Sequence, residues 1–118
     1  MENKAANPPL PGAAVRGSTT GRPIMALFDL LGRRMALRIL WELGDGPRTF
    51  RGLVEAAGTN PAVLNSRLGE LRAAGLVTHA DGGYALTADG IALGSLLLPI
   101  VAWSEGWSAR LAGGTPSA

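Results

Sequence analysis

The 118 residues suit a single domain, and 47% apolar against 17% charged side chains give material for one hydrophobic core, which excludes a chain disordered throughout. The net charge is only +2, yet ten of the eleven basic residues are Arg, and seven of them lie between Arg33 and Arg72 against four acids. A local guanidinium excess suits phosphate contact, because the planar fork donates two bonds to one anion; a solvated surface that happens to use Arg is the other reading. No cysteine is present, so disulfides, thiolate zinc sites and thiol redox switches have no material.

Met1 to Pro23 contains Pro8, Pro9, Pro11 and Pro23 with scattered Gly, Ser and Thr, and it shows no sustained periodicity. Residues 1–22 are therefore expected to be a flexible arm, whose Lys4, Arg16 and Arg22 could touch a polyanion. Met1–Gly21 lacks the continuous apolar core of a signal peptide. The longest uncharged stretch, Gly90–Ser104, is 15 residues with a Pro inside, against about 20 apolar residues needed to span a bilayer. A soluble cytoplasmic protein without a membrane partner is expected.

Residues 23–112 read as the folded domain, with 113–118 frayed. Ile24–Leu31 predicts a short apolar helix stopped by Gly32, and Arg34–Leu43 a second one ended by Gly44. In the second helix Ala36, Ile39, Leu40 and Leu43 form one stripe while Leu37 and Trp41 lie off it, which predicts burial on more than one side. Asp45-Gly46-Pro47 is turn chemistry, and Arg48-Thr49 allows a very short extended piece. Phe50–Ala57 makes a two-turn helix ending at Gly58. Asn60 then caps a helix that has Pro61 at its first position, runs to about Ala74 and closes at Gly75. Two helices across a tight turn, the second strongly capped, are a helix-turn-helix pattern. Leu76–His79 and Tyr84–Leu86 form a hairpin around an Ala80–Gly83 turn. Thr87 caps a last helix, with Asp89 in its first turn, that reaches about Leu111 and is expected to bend at Pro99. The fold class is mainly α with a small β-hairpin wing: a winged helix-turn-helix with added N- and C-terminal dimerisation helices.

Leu31-Gly32-Arg33-Arg34, Gly46-Pro47-Arg48-Thr49-Phe50, Asn60–Leu68, Glu70–Val77, Tyr84–Thr87 and the late Trp103 and Trp107 follow one another at a specific spacing. In that order they resemble the HxlR-type winged-helix regulators, relatives of the MarR group, over about Ile24 to Leu111. The resemblance implies cofactor-free dimeric transcription regulators that bind palindromic operators, usually near their own or a neighbouring gene. It also implies a dimer built from the first and last helices. Members of the family commonly carry a Cys before the first helix and a Trp after the Gly-Arg break. Here the first region reads Gly21-Arg22-Pro23-Ile24, and Met35 takes the Trp position. Thiol-based sensing, known in part of the family, has no residue to work through, and the wing is shorter than usual.

On the predicted recognition helix Leu64, Leu68 and Leu71 share the core face, leaving Ala62, Ser66, Gly69 and Ala73 opposite and Asn65 and Arg67 on the flanks. Asn65 can pair with adenine, Arg67 with guanine or a phosphate, Ser66 with base or backbone, and Ala62 can meet a thymine methyl. Thr59 and Asn60 lie where helix amides favour a phosphate, and Arg48 and Arg51 supply further backbone contacts. The competing structural role of Arg67 is an ion pair with Glu70 or Glu55. The single histidine, His79, at the base of the wing, reads as a surface residue rather than a ligand or base and is counted with the DNA-facing set. Without a second His, a Cys or clustered carboxylates there is no metal site, and no base stands ready for a nucleophile, so no enzyme is expected.

Leu96, Ile100, Trp103 and Trp107 form one stripe of the last helix, with Leu97, Leu98 and Val101 outside it. A chain this small cannot cover both faces of a terminal helix, so a homodimer is expected through Leu27, Phe28, Leu96, Ile100, Trp103 and Trp107. A small-molecule effector pocket lined by Trp41, Trp103, Trp107 and Phe28 is the sharper alternative for the aromatics. The expected partner is double-stranded DNA. A winged helix kept for protein–protein contact, its DNA face eroded to Ala62, Gly69 and Ala73, is the alternative.

Overall fold

Local capping chemistry fixes most of the element boundaries. The computed structural model describes residues 10–11 and 22–113, so most of the expected arm (with Lys4 and Arg16) and residues 114–118 lie outside the described residues. The order is α1 (Pro23–Leu31), α2 (Ala36–Leu43), α3 (Phe50–Ala57), α4 (Pro61–Ala73), β1 (Val77–Ala80), β2 (Gly83–Leu86) and α5 (Ala88–Leu111). The Thr49 hydroxyl accepts from the Gly52 amide at 3.0 Å and the Asn60 side chain from the Val63 amide at 2.9 Å, each satisfying one amide that a helix start leaves orphaned. Gly58 ends α3 at φ +66°, a conformation that costs glycine least.

Three boundaries differ from the sequence reading. The second helix starts at Ala36 rather than Arg34, because Met35 is left-handed (φ +70°) and cannot continue a helix. Gly44 does cap α2, but with right-handed angles; the positive φ falls instead at Gly46 (+132°). The hairpin tip shrinks to two residues, Asp81 and Gly82, both at positive φ. That is the geometry of a two-residue turn matched to strand twist, and it frees Ala80 and Gly83 to pair.

The core gathers residues from the first four helices: Leu30 of α1, Ile39, Leu40 and Leu43 of α2, Leu53 and Ala57 of α3, Leu64, Leu68 and Leu71 of α4, closed by Leu76 and Val77, with Leu93 of α5 packed against it half-buried. The wing is antiparallel, with Val77 opposite Leu86 and His79 opposite Tyr84. Arg48 extends it. Its amide donates to the Tyr84 carbonyl at 3.0 Å and its carbonyl accepts from the Tyr84 amide at 2.8 Å, the short extended piece that the sequence allowed.

The junction into α5 is closely packed. The Thr87 amide donates to the Leu76 carbonyl at 3.0 Å, and its hydroxyl donates to the Gly75 carbonyl at 2.6 Å while accepting from the Gly90 amide at 3.1 Å. Gly90 is buried against the same strand start, where a Cβ would stand 2.2 Å from the Leu76 carbonyl oxygen. The α5 helix then runs through Pro99, whose ring leaves the Ser95 carbonyl without its usual donor.

At 24 residues α5 is about 36 Å long. With a mean hydropathy of 1.2 and little of its surface buried, it is long and apolar enough to cross a membrane by length and composition alone. The helix is longer than the uncharged Gly90–Ser104 stretch because Asp89, Glu105 and Arg110 lie within it. The expectation for α2 is corrected: Trp41 is 53% exposed and Leu37 also faces solvent in the single chain, so the helix is buried on one side only.

Two substitutions test this frame by chemical denaturation. Gly90→Ala is expected to destabilise the fold by about 2–3 kcal/mol, because the obstacle is backbone that cannot rotate away. Asn60→Ala, which strips the cap but leaves the core intact, is expected to cost about 1 kcal/mol.

Candidate nucleic-acid interface

The α3 and α4 helices form the helix-turn-helix, and the burial of α4 divides its residues by face. Leu64, Leu68 and Leu71 are buried, whereas Ala62, Asn65 and Ala73 are exposed and Ser66 and Gly69 partly so. Neither Asn65 nor Ser66 spends its side chain on a hydrogen bond to the described residues. Thr59 is half-buried just ahead of the helix, and the Asn60 carbonyl oxygen is already committed to the cap.

The expected arginines part company here. Arg51 is exposed and makes no side-chain bond or ion pair to the described residues, and the same holds for Arg34 and Arg72. Arg48 is engaged: its Nε donates to the Glu42 carbonyl at 2.9 Å, and its guanidinium lies 3.6 Å from the carboxylates of Glu42 and Asp45. Arg67 takes the ion-pair role, with Glu70 and not Glu55 as partner, its Nη1 donating to Oε1 at 2.6 Å. His79 is exposed on the wing and stacks on Tyr84 across the strands, ring centres 4.2 Å apart and planes nearly parallel.

Glu70 was legible only in part. It is 4% exposed, the one charged side chain buried in the core region of the described residues. Its second oxygen, Oε2, accepts from Arg33 Nη1, and Arg33 also pairs with Asp29 at 3.4 Å. The Arg33–Asp29 spacing is a helical i,i+4 pair that sequence can suggest. The Arg33–Glu70 contact spans 37 positions, and no local signal announces it. Arg67 Nε is buried there without a partner. Phe28, Asp29, Gly32, Arg33, Arg34, Arg67 and Glu70 line an open cleft of about 570 Å³ beside this cluster.

The aromatic residues do not surround one cavity in the single chain. Trp103 and Trp107 stack on each other at 5.7 Å, with the Arg110 guanidinium 5.9 Å from the Trp103 ring centre. Trp41 instead edges a groove with Leu86, Ile91 and Leu98, and Phe28 edges the charged cleft. The expected four-aromatic pocket is therefore not formed within one chain. Leu96, Ile100, Trp103 and Trp107 are exposed, Leu96 by 72%, as is Phe28, while Leu27 is half-buried. No group of three or more His, Cys, Asp or Glu that could hold a metal occurs among the described residues.

The HxlR-like helix-turn-helix family matches residues 30–112. An uncharacterized HTH-type transcriptional regulator from Methanocaldococcus jannaschii is 25% identical over 88 residues, which cover 70% of this chain and 83% of that protein. Quinone-bound YodB from B. subtilis superposes with a TM-score of 0.66 at 31% identity, over 70% of this chain and 94% of its own. A transcriptional regulator of the MarR family from Enterococcus faecalis V583 shares the fold, with a TM-score of 0.68 at 24% identity over 85% and 98% of the two chains. With the helix-turn-helix, the wing and this match in hand, the chain belongs to the HxlR-like helix-turn-helix family of DNA-binding transcriptional regulators.

Proposed function

We propose that the protein acts as a homodimer on a palindromic operator, with α4 of each subunit in the major groove and the wing beside it. The outer face of α4 carries this reading: Ala62, Asn65 and Ser66 stand clear of the core with no internal bonds to break. Asn65 reads adenine, Ser66 takes base or backbone, and Ala62 meets a thymine methyl. Thr59, Asn60 and the exposed Arg51 meet phosphates near the helix start, while His79 and Arg48 serve from the wing and its root. The small side chains at Ala62 and Gly69 let the helix approach closely, and they leave more of the affinity to phosphates and DNA shape.

The dimer is proposed from α5. A helix that is apolar and almost wholly unburied needs a partner surface, and the Leu96, Ile100, Trp103 and Trp107 stripe with Leu27 and Phe28 of α1 offers one that a two-fold axis can pair with itself. This accounts for the apolar length of α5 without a bilayer. A regulator of DNA works in the cytoplasm. Small-molecule control, for which quinone-bound YodB is a precedent among relatives, would proceed here without a thiol, because the chain has no cysteine.

Fluorescence anisotropy with duplex from the upstream region and a scrambled control, at two salt concentrations, tests the first half. Selective binding that weakens with salt is expected, and Asn65→Ala should lower it by about tenfold. Equal and weak binding to both duplexes would instead support a winged-helix module for protein contact. Sedimentation equilibrium tests the second half: Trp103→Ala should weaken association by about tenfold or more, and an unchanged association constant would remove that stripe from the interface.

A further inference from the structure

We propose that Glu70 holds Arg67 in reserve, and that on operator binding Arg67 passes from Glu70 to a DNA phosphate while Arg33 stays behind to neutralise the carboxylate, a step that rests on α4 being the DNA-reading helix. One buried carboxylate holds two guanidiniums, Arg33 on Oε2 and Arg67 on Oε1. A buried carboxylate needs a cation, because stranding it unpaired in a low-dielectric site is strongly unfavourable. It does not need two. Either arginine can leave without stranding Glu70, provided the other remains.

The two arginines are not equivalent. Arg33 is tied at a second point, to Asp29 of α1, so it belongs to the α1–α2 junction and stays with it. Arg67 has no second partner among the described residues, and there its Nε is buried with its proton unsatisfied. An orphaned buried donor penalises the pose that contains it, so the free-protein position of Arg67 is the weaker of the two attachments. A phosphate accepts the whole guanidinium fork, Nε included, and would repair that defect. Arg67 is half-buried on the flank of α4, between the Leu64–Leu68–Leu71 core row and the outer face, and the hand-off is a rotation of its side chain about a fixed helix.

Arg33 is thus a positioning residue for a contact it does not make. Remove its charge and Arg67 becomes the only cation on Glu70, and is pinned there. The test is a double-mutant cycle on the full chain, reading operator affinity and its salt slope for wild type, Arg67→Gln, Arg33→Gln, Arg33→Lys and the double Gln variant. Arg67→Gln should lower affinity about tenfold and reduce the slope of log K against log salt by about one, as loss of a phosphate contact does. Arg33→Gln should reproduce both changes, the double variant should add little, and Arg33→Lys should restore the slope.

An Arg33→Gln variant with wild-type slope would overturn the hand-off, and so would additive losses in the double variant, since those describe two independent phosphate contacts. A second measurement does not depend on any variant binding DNA. The Arg67 Nε–H resonance of wild type, assigned by its absence in Arg67→Gln, should shift when operator duplex is added; a resonance that stays in place while the duplex is bound contradicts the proposal. Wild type that shows no operator preference removes the DNA reading itself, and this inference with it.

Discussion

The inner row of α4 is the constraint from which the rest of the interface follows. Leu64, Leu68 and Leu71 are almost wholly buried among residues from all the other helices of the core, and truncating such a side chain typically costs about 2–5 kcal/mol. Because side chains recur every 3.6 residues, burying that row sends Ala62, Ser66 and Ala73 to the opposite side with no freedom left over. Asn60 and Pro61 fix where the helix begins, and so which of its residues come first to a groove. The proposed DNA-facing surface is in this sense a by-product of the core: the same packing that stabilises the domain aims the helix.

The charged cluster beneath α4 ties that aim to the rest of the chain. Glu70 joins the recognition helix to the α1–α2 junction through Arg33, and Arg33 joins α1 through Asp29. If α1 and α5 carry the dimer contact, the path from dimer face to DNA face is short and consists of charges rather than a packed apolar wall. The other mechanical link is the Thr87–Gly90 junction. By holding the start of α5 against the Leu76 carbonyl it sets the direction in which a 24-residue helix leaves the domain. A long helix amplifies a small error at its root, which explains why the approach there is too close for any side chain.

Features governed by local chemistry were the ones legible in the sequence. Asn60-Pro61, Thr87 and the α3 helix from Phe50 to Ala57 were readable because each rests on caps or breakers within a few residues. The Asp81-Gly82 tip was visible as a turn, but its two-residue length depends on both residues taking positive φ. Met35 escaped because nothing in the local pattern marks a methionine as left-handed. Burial of Trp41 and Leu37 was overestimated for a related reason, since periodicity reports that a face is apolar but not whether the covering surface lies in the same chain. Arg67 was ambiguous between DNA and an ion pair, and the decisive neighbour, Arg33, stood too far away in sequence to be weighed.

The proposed two-fold dimer reads two half-sites with paired α4 helices. Hydroxyl-radical footprinting of the upstream duplex reports the symmetry and the spacing of such a complex together. Two protected half-sites related by a two-fold axis are expected, with centres about one helical turn, roughly 10 base pairs, apart or a multiple of that. A single unsymmetrical protected patch, or protection spread evenly along the duplex, would contradict it.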